Sequence, residues 1–509
     1  MAKTSTKDMT RGGIFPHLFW FALPLLFGNL FQQLYNAVDS VVVGNFVGSA
    51  ALGGVTSVMP CINTLVGFFL GMSTGASVVI AQYFGAKMGA ELRRAVHTSL
   101  VGTFLLSLVF MALGWTITPF LVKSMQTAPT VAPHSITYLR IYFAGITGLM
   151  IYNMGSAILR AVGDSKRPLY FLALTSILNV VLDLYFVIGL RWGVAGVAYA
   201  TILSQFVSAV LVLVVLFRSR EIYSLTWGEM RLDRTMLKKI VDVGLPAGFQ
   251  MALTAFSNIF VQSYVNAFGA AYTAGWGIYI RMDMFVIMPM QSIALAITTF
   301  TGQNAGAGNP DRIHKGIRVA MTMAFVATTC LVIPEFFLAP HIVRLFNQEP
   351  EVVAKGVLFI RCVCLFDIFA CMNQILAGML RGIGDARAPM VIMLFSFVLF
   401  RQLYLLVVSH LTPSIIPIAL GYPMGWMMCN LLQWIYYHKS GWERRITGLK
   451  RSGTAKTDGP LRCRRGEPRP AQPCRPVCAS LVFSQSWNQG LLCLQQPLYL
   501  FVTEAIFNE

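Results

Sequence analysis

Apolar stretches of about 20 residues or more recur along nearly the whole chain, separated by short polar or basic segments. A hydrocarbon core of about 30 Å takes about 20 helical residues to cross. In lipid every backbone polar group needs an internal partner, and a helix supplies those partners by itself. The pattern therefore dictates an all-α membrane protein with many spans. Composition agrees: 12% of the 509 residues are charged, whereas a soluble chain carries about 25%.

The apolar windows predict twelve transmembrane helices, over 14–47, 55–80, 96–122, 135–160, 168–190, 193–217, 240–268, 278–300, 316–340, 353–380, 388–410 and 413–438. The basic residues between them sort by side. Lys87, Arg93, Arg94, Lys166, Arg167, Arg312, Lys315 and Arg318 fall on the side of the amino terminus; the other side holds little beyond Lys123, Arg191, Arg344 and Lys355. The positive-inside rule then places both termini in the cytoplasm, and an even helix count agrees. The net charge of +18 does not point to nucleic acid, because the basic residues sit at the ends of apolar segments and not on one amphipathic face. The first apolar segment is much longer than that of a signal peptide and reads as a retained helix. Cys362 and Cys364 point to different helix faces, so neither a metal site nor a disulfide is expected there.

The chain repeats itself. "LRAVGDSKRP" (159–168) matches "LRGIGDARAP" (380–389) at an offset of 221 residues. The same offset relates Arg140 to Arg361, Gln82 to Gln303 and Gly85 to Gly306. Each repeat holds six spans, and an even number returns the chain to its starting side. The halves should therefore be two six-helix bundles related by a pseudo-twofold axis along the membrane normal, with a cavity between them. The expected organisation is a cytoplasmic N-terminus (1–13), an N-lobe (14–217), a charged linker (218–239), a C-lobe (240–445) and an atypical tail (446–509). Within the repeated hairpin, Gly163 and Gly384 are expected to end a helix in the left-handed conformation, with Pro168 and Pro389 opening the next; a gating role is the other reading.

Acids inside the spans are few: Asp39, Asp183, Asp283, Glu335 and Asp367. A carboxylate at mid-membrane costs about 2.5–3.5 kcal/mol on insertion scales and persists beside a partner or water. Asp39, Asp183 and Thr201 each lie seven or eight residues from the predicted outer end of their span, which at 1.5 Å per residue is a common depth of roughly 10–12 Å. Asn179 is one turn from Asp183 on the same face. Two carboxylates, an amide and a hydroxyl can thus meet, and such oxygens suit a proton or a hard cation such as Na⁺. Interhelical packing is the bland reading of the same residues. Asp283 follows Arg281 closely, so an ion pair competes with a transport role; Asp367 is a candidate second cation or substrate site; Glu335 is expected to be solvated near the outer end of its span. Pro24 removes a backbone donor early in the first span and is a candidate hinge. The many Met and Phe residues suit lipid contact, packing or a plastic pocket. No GxxxxGK[ST] motif supports ATP-driven transport, and no HExxH or GxSxG supports a hydrolase.

Taken together, "PLLFGNLFQQLYNAVDSVVVGNFVG" (24–48), "AQYFGAK" (81–87), "ILRAVGDSKRP" (158–168), "NVVLD" (179–183), "GVAGVAYAT" (193–201), "MPMQS" (288–292) and "MLRGIGDARAP" (379–389) resemble the bacterial multidrug and toxic compound extrusion (MATE) family over roughly residues 10–445. The resemblance implies two six-helix bundles, alternating access, and export of cationic, amphipathic compounds across the cell membrane in exchange for H⁺ or Na⁺; no cofactor is expected, and two complete bundles make a monomer sufficient. It also implies that Asp39, Asn179, Asp183 and Thr201 form the coupling network of the branch named for a DNA-damage-inducible protein. Two features depart from the family. The seventh span lacks the glutamate that, in another branch, pairs with the helix-10 aspartate, which leaves Asp367 without that partner. From residue 446 the tail, with Cys463, Cys474, Cys478 and Cys493, resembles nothing in the family; it is expected to be disordered. Deletion of 450–509 should accordingly leave export intact at unchanged membrane abundance, measured as drug efflux from cells; loss of efflux by that truncation would assign the tail a role. A flippase for lipid-linked oligosaccharides, which needs cavity arginines such as Arg281 or Arg401, and a non-transporting receptor or scaffold are the competing readings.

Overall fold

The computed structural model describes residues 6–125, 127–444 and 446; the expected tail beyond 446 lies outside them. The chain runs through α1 (Ile14–Phe46), α2 (Ser49–Gly85), α3 (Gly89–Ser124), α4 (Ala132–Ala144), α5 (Ile146–Ala161), α6 (Lys166–Leu184) and α7 (Gly193–Arg218). A linker leads to α8 (Arg234–Asn266), α9 (Ala270–Gly306), α10 (Pro310–Phe346), α11 (Pro350–Val363), α12 (Asp367–Gly382), α13 (Arg387–Leu394), α14 (Arg401–Leu411), α15 (Ile415–Ala419) and α16 (Gly421–Lys439). No strand occurs among the described residues.

Among the described residues, nine continuous helical segments are long and apolar enough to cross a membrane, two of them (Lys166–Gly189 and Arg387–Leu411) running through a π turn, and α4–α5 forms a tenth crossing bent by 50°. The remaining two of the twelve crossings, the tenth and the twelfth, are interrupted. A 3-10 turn at Cys364–Phe366 separates α11 from α12, and α15 is a short turn before α16. Hydropathy predicts unbroken rods at these places because it weighs side chains and not the backbone path. Two wider turns, Tyr185–Gly189 after α6 and Phe395–Phe400 between α13 and α14, lie next to Asp183 and Arg401; such π turns are enriched at functional positions.

The repeated hairpins have the expected local chemistry. Gly163 and Gly384 take φ of +88° and +91°, a left-handed conformation that a side chain disfavours. Asp164 Oδ1 then accepts the Lys166 and Arg167 backbone N–H groups at 3.2 Å, and Asp385 Oδ1 accepts that of Ala388 at 3.3 Å. Each aspartate thereby satisfies the free donors at the start of the next helix.

The linker is tied down. Thr226 N–H donates to His97 Nε2 at 3.1 Å, the Asp233 N–H to Thr98 Oγ1 at 3.2 Å, and Arg93 pairs with Glu229 at 2.8 Å. Asp233 caps α8, accepting from Thr235 and Met236, so this helix begins six residues before the apolar window does.

The lobes are not sealed from one another in sequence. Leu18, Phe21, Ala22 and Leu25 at the start of α1 join the hydrophobic core of the second half of the chain. Val42 and Val43 near its end join a core of the first half. α1 changes partners close to Pro24. Across the middle, α2 and α8 meet glycine to glycine: a Cβ on Gly71 would lie 2.2 Å from Gly248 N, and one on Gly75 would lie 2.4 Å from Gly244 Cα. Small residues four apart on both helices allow this approach, as they do in membrane helix pairs generally.

Candidate functional site

In the first half of the chain, α6 packs against both α1 and α7. This brings Asp39 of α1 against Asp183 of α6. Their carboxyl groups are neighbours and face each other. Asp39 is 5% exposed and Asp183 fully buried. No donor among the described residues satisfies Asp39 Oδ1 or either oxygen of Asp183, and neither amide atom of the buried Asn179, one turn earlier, has a partner. A buried polar atom without a partner is costly, and two facing carboxylates are costlier. The oxygen-rich donor set is chemically suited to a proton or a small hard cation.

Thr201 is buried on α7, but its hydroxyl donates to the Val197 carbonyl at 3.0 Å. It retains lone pairs for a ligand and has no free proton to give. Around the pair stand residues that acid counting missed. Tyr35 and Tyr138 face Asp39, and Tyr142 stacks on Tyr138 with ring centroids 6.3 Å apart. The signal was there in spacing: Tyr35 and Asp39 are four apart on α1, and Tyr138 and Tyr142 four apart on α4, so each pair shares a helix face.

The second half of the chain corrects the expectation for Glu335 and removes the ion-pair alternative for Asp283. Glu335 is not solvated; it is 6% exposed, with Oε1 unsatisfied. Asp283 forms no ion pair with Arg281 or any other residue described; its carboxylate neighbours Glu335 and Asp367. Asp367 is 1% exposed, with both oxygens unsatisfied, and is not isolated from other acids. The reason lies in the α11–α12 break, which sets Asp367 at the first turn of α12, facing α9 and α10. Tyr279, four residues before Asp283, faces all three acids. They do not converge into a three-ligand metal cage among the described residues.

At the start of α14, Arg401 is 2% exposed. Its Nη2 donates to Ser257 Oγ at 2.8 Å and Asn258 Oδ1 at 2.9 Å, and its guanidinium lies 4.8 Å from the Tyr422 ring centre. Ser257 Oγ in turn donates to the Phe397 carbonyl in the π turn, at 2.7 Å. Arg401 is therefore held by neutral groups, while Arg281 is exposed.

Comparison with known proteins fits this two-lobe geometry. The MatE family model matches residues 24–185 and again 246–404, once in each half. The chain is 30% identical over 457 residues to the probable multidrug resistance protein YoeA of Bacillus subtilis (strain 168), covering 87% of this chain and 98% of that protein. It is 29% identical over 441 residues to the probable multidrug resistance protein YpnP of the same organism, covering 86% and 97%. Among solved structures, an outward-facing multidrug resistance MATE family transporter superposes with a TM-score of 0.80 at 25% identity, covering 88% of this chain and 99% of that one. The duplicated family match, the two-lobe twelve-helix architecture and the near-full-length relatives make this chain a bacterial multi-pass membrane transporter of the MATE family.

Proposed function

We propose that this protein is a secondary active antiporter that exports cationic, amphipathic compounds by alternating access, driven by H⁺ or Na⁺ entering at Asp39 and Asp183. The observation that carries this reading is the contact between two buried carboxylates whose oxygens the protein leaves unsatisfied. A charge pair of this kind favours the form in which a mobile cation neutralises it. Asn179 adds an amide oxygen one turn away, and Thr201 an acceptor from α7. The constellation favours the branch named for the DNA-damage-inducible protein. The basic end of the bundle faces the cytoplasm with both termini, in the inner membrane of a bacterium, and one copy suffices.

Pro24 is the hinge in this scheme. It lies where α1 passes from the core of one lobe to that of the other, so a bend there moves Asp39 relative to the C-lobe. The acids Asp283 and Asp367, now joined by Glu335, form a second place where a cation or a cationic substrate is stabilised; the unsatisfied, buried Asp367 supports this. The flippase reading is weaker, since the guanidinium of Arg401 is engaged by Ser257 and Asn258. The test is efflux of an ethidium-like cation from vesicles containing the purified protein, with pH and Na⁺ gradients imposed separately. At least one gradient should drive uphill movement. Absence of movement under both would favour the scaffold reading.

A further inference from the structure

The repeated motifs meet each other across the two lobes, at the basic end. Gln82, in the last turn of α2, donates from Nε2 to the Gly382 carbonyl at 3.0 Å. Gln303, in the last turn of α9, donates from Nε2 to the Ala161 carbonyl at 2.9 Å. Gln82 and Gln303 are 221 residues apart, and so are Ala161 and Gly382. The two bonds are therefore the same contact made twice, once in each direction. Ala161 closes α5 and Gly382 closes α12. Their carbonyls are among those that a helix end leaves without an internal partner, and a glutamine of the opposite lobe supplies one.

Backbone approach makes the contact specific. A Cβ on Gly85 would lie 1.8 Å from the Gln303 carbonyl oxygen, and one on Gly306 would lie 1.9 Å from that of Gln82. These glycines too are 221 apart, and each ends its helix. Only residues without a side chain let α2 and α9 cross here.

One of the two contacts carries an addition. The Met9 N–H donates to Gln303 Oε1 at 2.9 Å, so this amide is satisfied from both sides. The Met9 carbonyl accepts from Asn304 Nδ2 at 3.3 Å and Arg312 Nε at 3.1 Å. The Lys7 N–H donates to the Val162 carbonyl in the other lobe at 3.3 Å. Met9 is fully buried. The amino-terminal segment thus lies between the lobes like a bolt, on the Gln303 side alone.

We infer that Gln82 and Gln303 are paired latches that close the basic end of the transporter, and that residues 7–11 bolt one of them. The bonds are neutral amide–carbonyl bonds, whose net advantage over bonds to water is modest, so together they hold the gate closed without locking it. That suits a gate opened once per transport cycle better than buried ion pairs would. The inference rests on the alternating-access reading for its role in transport; the closed contact itself does not need it.

The experiment measures lobe separation directly. Spin labels are placed on cysteines at Ala90 and Asp311, exposed pseudo-equivalent positions in the first turns of α3 and α10, after the native cysteines are replaced by serine. Electron–electron distance distributions are recorded in lipid nanodiscs without substrate. Gln82→Ala together with Gln303→Ala should raise the ratio of separated to closed molecules by about 10-fold or more, as expected for two lost bonds. Gln303→Ala should act more strongly than Gln82→Ala, because it also frees Met9. Gln82 is part-exposed, so Gln82→Ala reads out the gate if the double variant does not fold. An unchanged distribution in folded Gln82→Ala, or equal effects of the two single variants, overturns the assignment of latches and bolt respectively. Ion-driven efflux is measured on the same samples. A shifted distribution without efflux in the wild type leaves the gate standing and removes the antiport reading; normal efflux with an unmoved distribution does the reverse.

Discussion

Asp39→Asn stops ion-driven export while leaving folded protein in the membrane at wild-type abundance. The substitution keeps the size of the side chain and removes the negative charge that faces Asp183. With one carboxylate left beside a neutral amide, the drive to take up a cation falls. The stabilisation at stake is of the order of an unneutralised intramembrane carboxylate, about 2.5–3.5 kcal/mol, which corresponds to a factor of roughly 100. Efflux under an imposed gradient should fall by that order. Asp183→Asn should do the same, and the double variant should be no worse than either, because the two acids act as one unit. Fluorescent-substrate binding in detergent should survive, which separates lost coupling from lost structure. Wild-type efflux by Asp39→Asn would remove this pair from the mechanism.

Gly71→Val is expected to have the second-largest effect, for a steric reason. The α2–α8 seam closes around Gly71, Gly75, Gly244 and Gly248, and the first added carbon at Gly71 falls 2.2 Å from the Gly248 nitrogen. No rotamer relieves a clash between Cβ and backbone, so the helices must part. Overpacking of this kind costs about 1–3 kcal/mol or more, which changes the population of a closed conformation by roughly 5–150-fold. Export should fall accordingly, and the thermal midpoint of the purified protein should drop. Leu70→Val, next along the helix at an exposed position, should change neither. Normal export by Gly71→Val would mean that the seam never closes this tightly during transport.

The two halves have kept different things in common. The gate residues match at a constant offset: Gln82 with Gln303, Gly85 with Gly306, Gly163 with Gly384. The acids do not. At the same offset in sequence, Asp39 corresponds to Phe260 and Asp183 to Tyr404, and Asp283 and Asp367 correspond to Ile62 and Ile146. A symmetric gate needs both halves to make the same backbone contact, whereas a binding site needs only one half to hold charge.

What was legible in the sequence follows from periodicity and solvent. Hydropathy located the crossings because lipid excludes polar backbone, and the repeat announced two bundles because equal spacing means equal structure. Counting helical rise from the span ends placed Asp39 and Asp183 at one depth, and in the structure they are neighbours. Glu335 was misjudged because the apolar window ends at 340 while α10 runs on to Phe346, and because hydropathy does not report which face of that helix turns inward. Asp367 could not be assigned neighbours, because its position depends on a backbone break that side-chain hydropathy does not report.

The amino-acid sequence by itself determined that the chain crosses a membrane as helices, that it does so in two related sets, and that a few acids must be buried for a purpose. Those are consequences of solvent and of spacing along a single helix. Tertiary structure alone decided which acids meet, that the start of α1 belongs to the opposite lobe's core, and that the repeated glutamines and glycines close on each other. Such contacts depend on how helices far apart in the chain rotate and cross, and no local pattern encodes those angles.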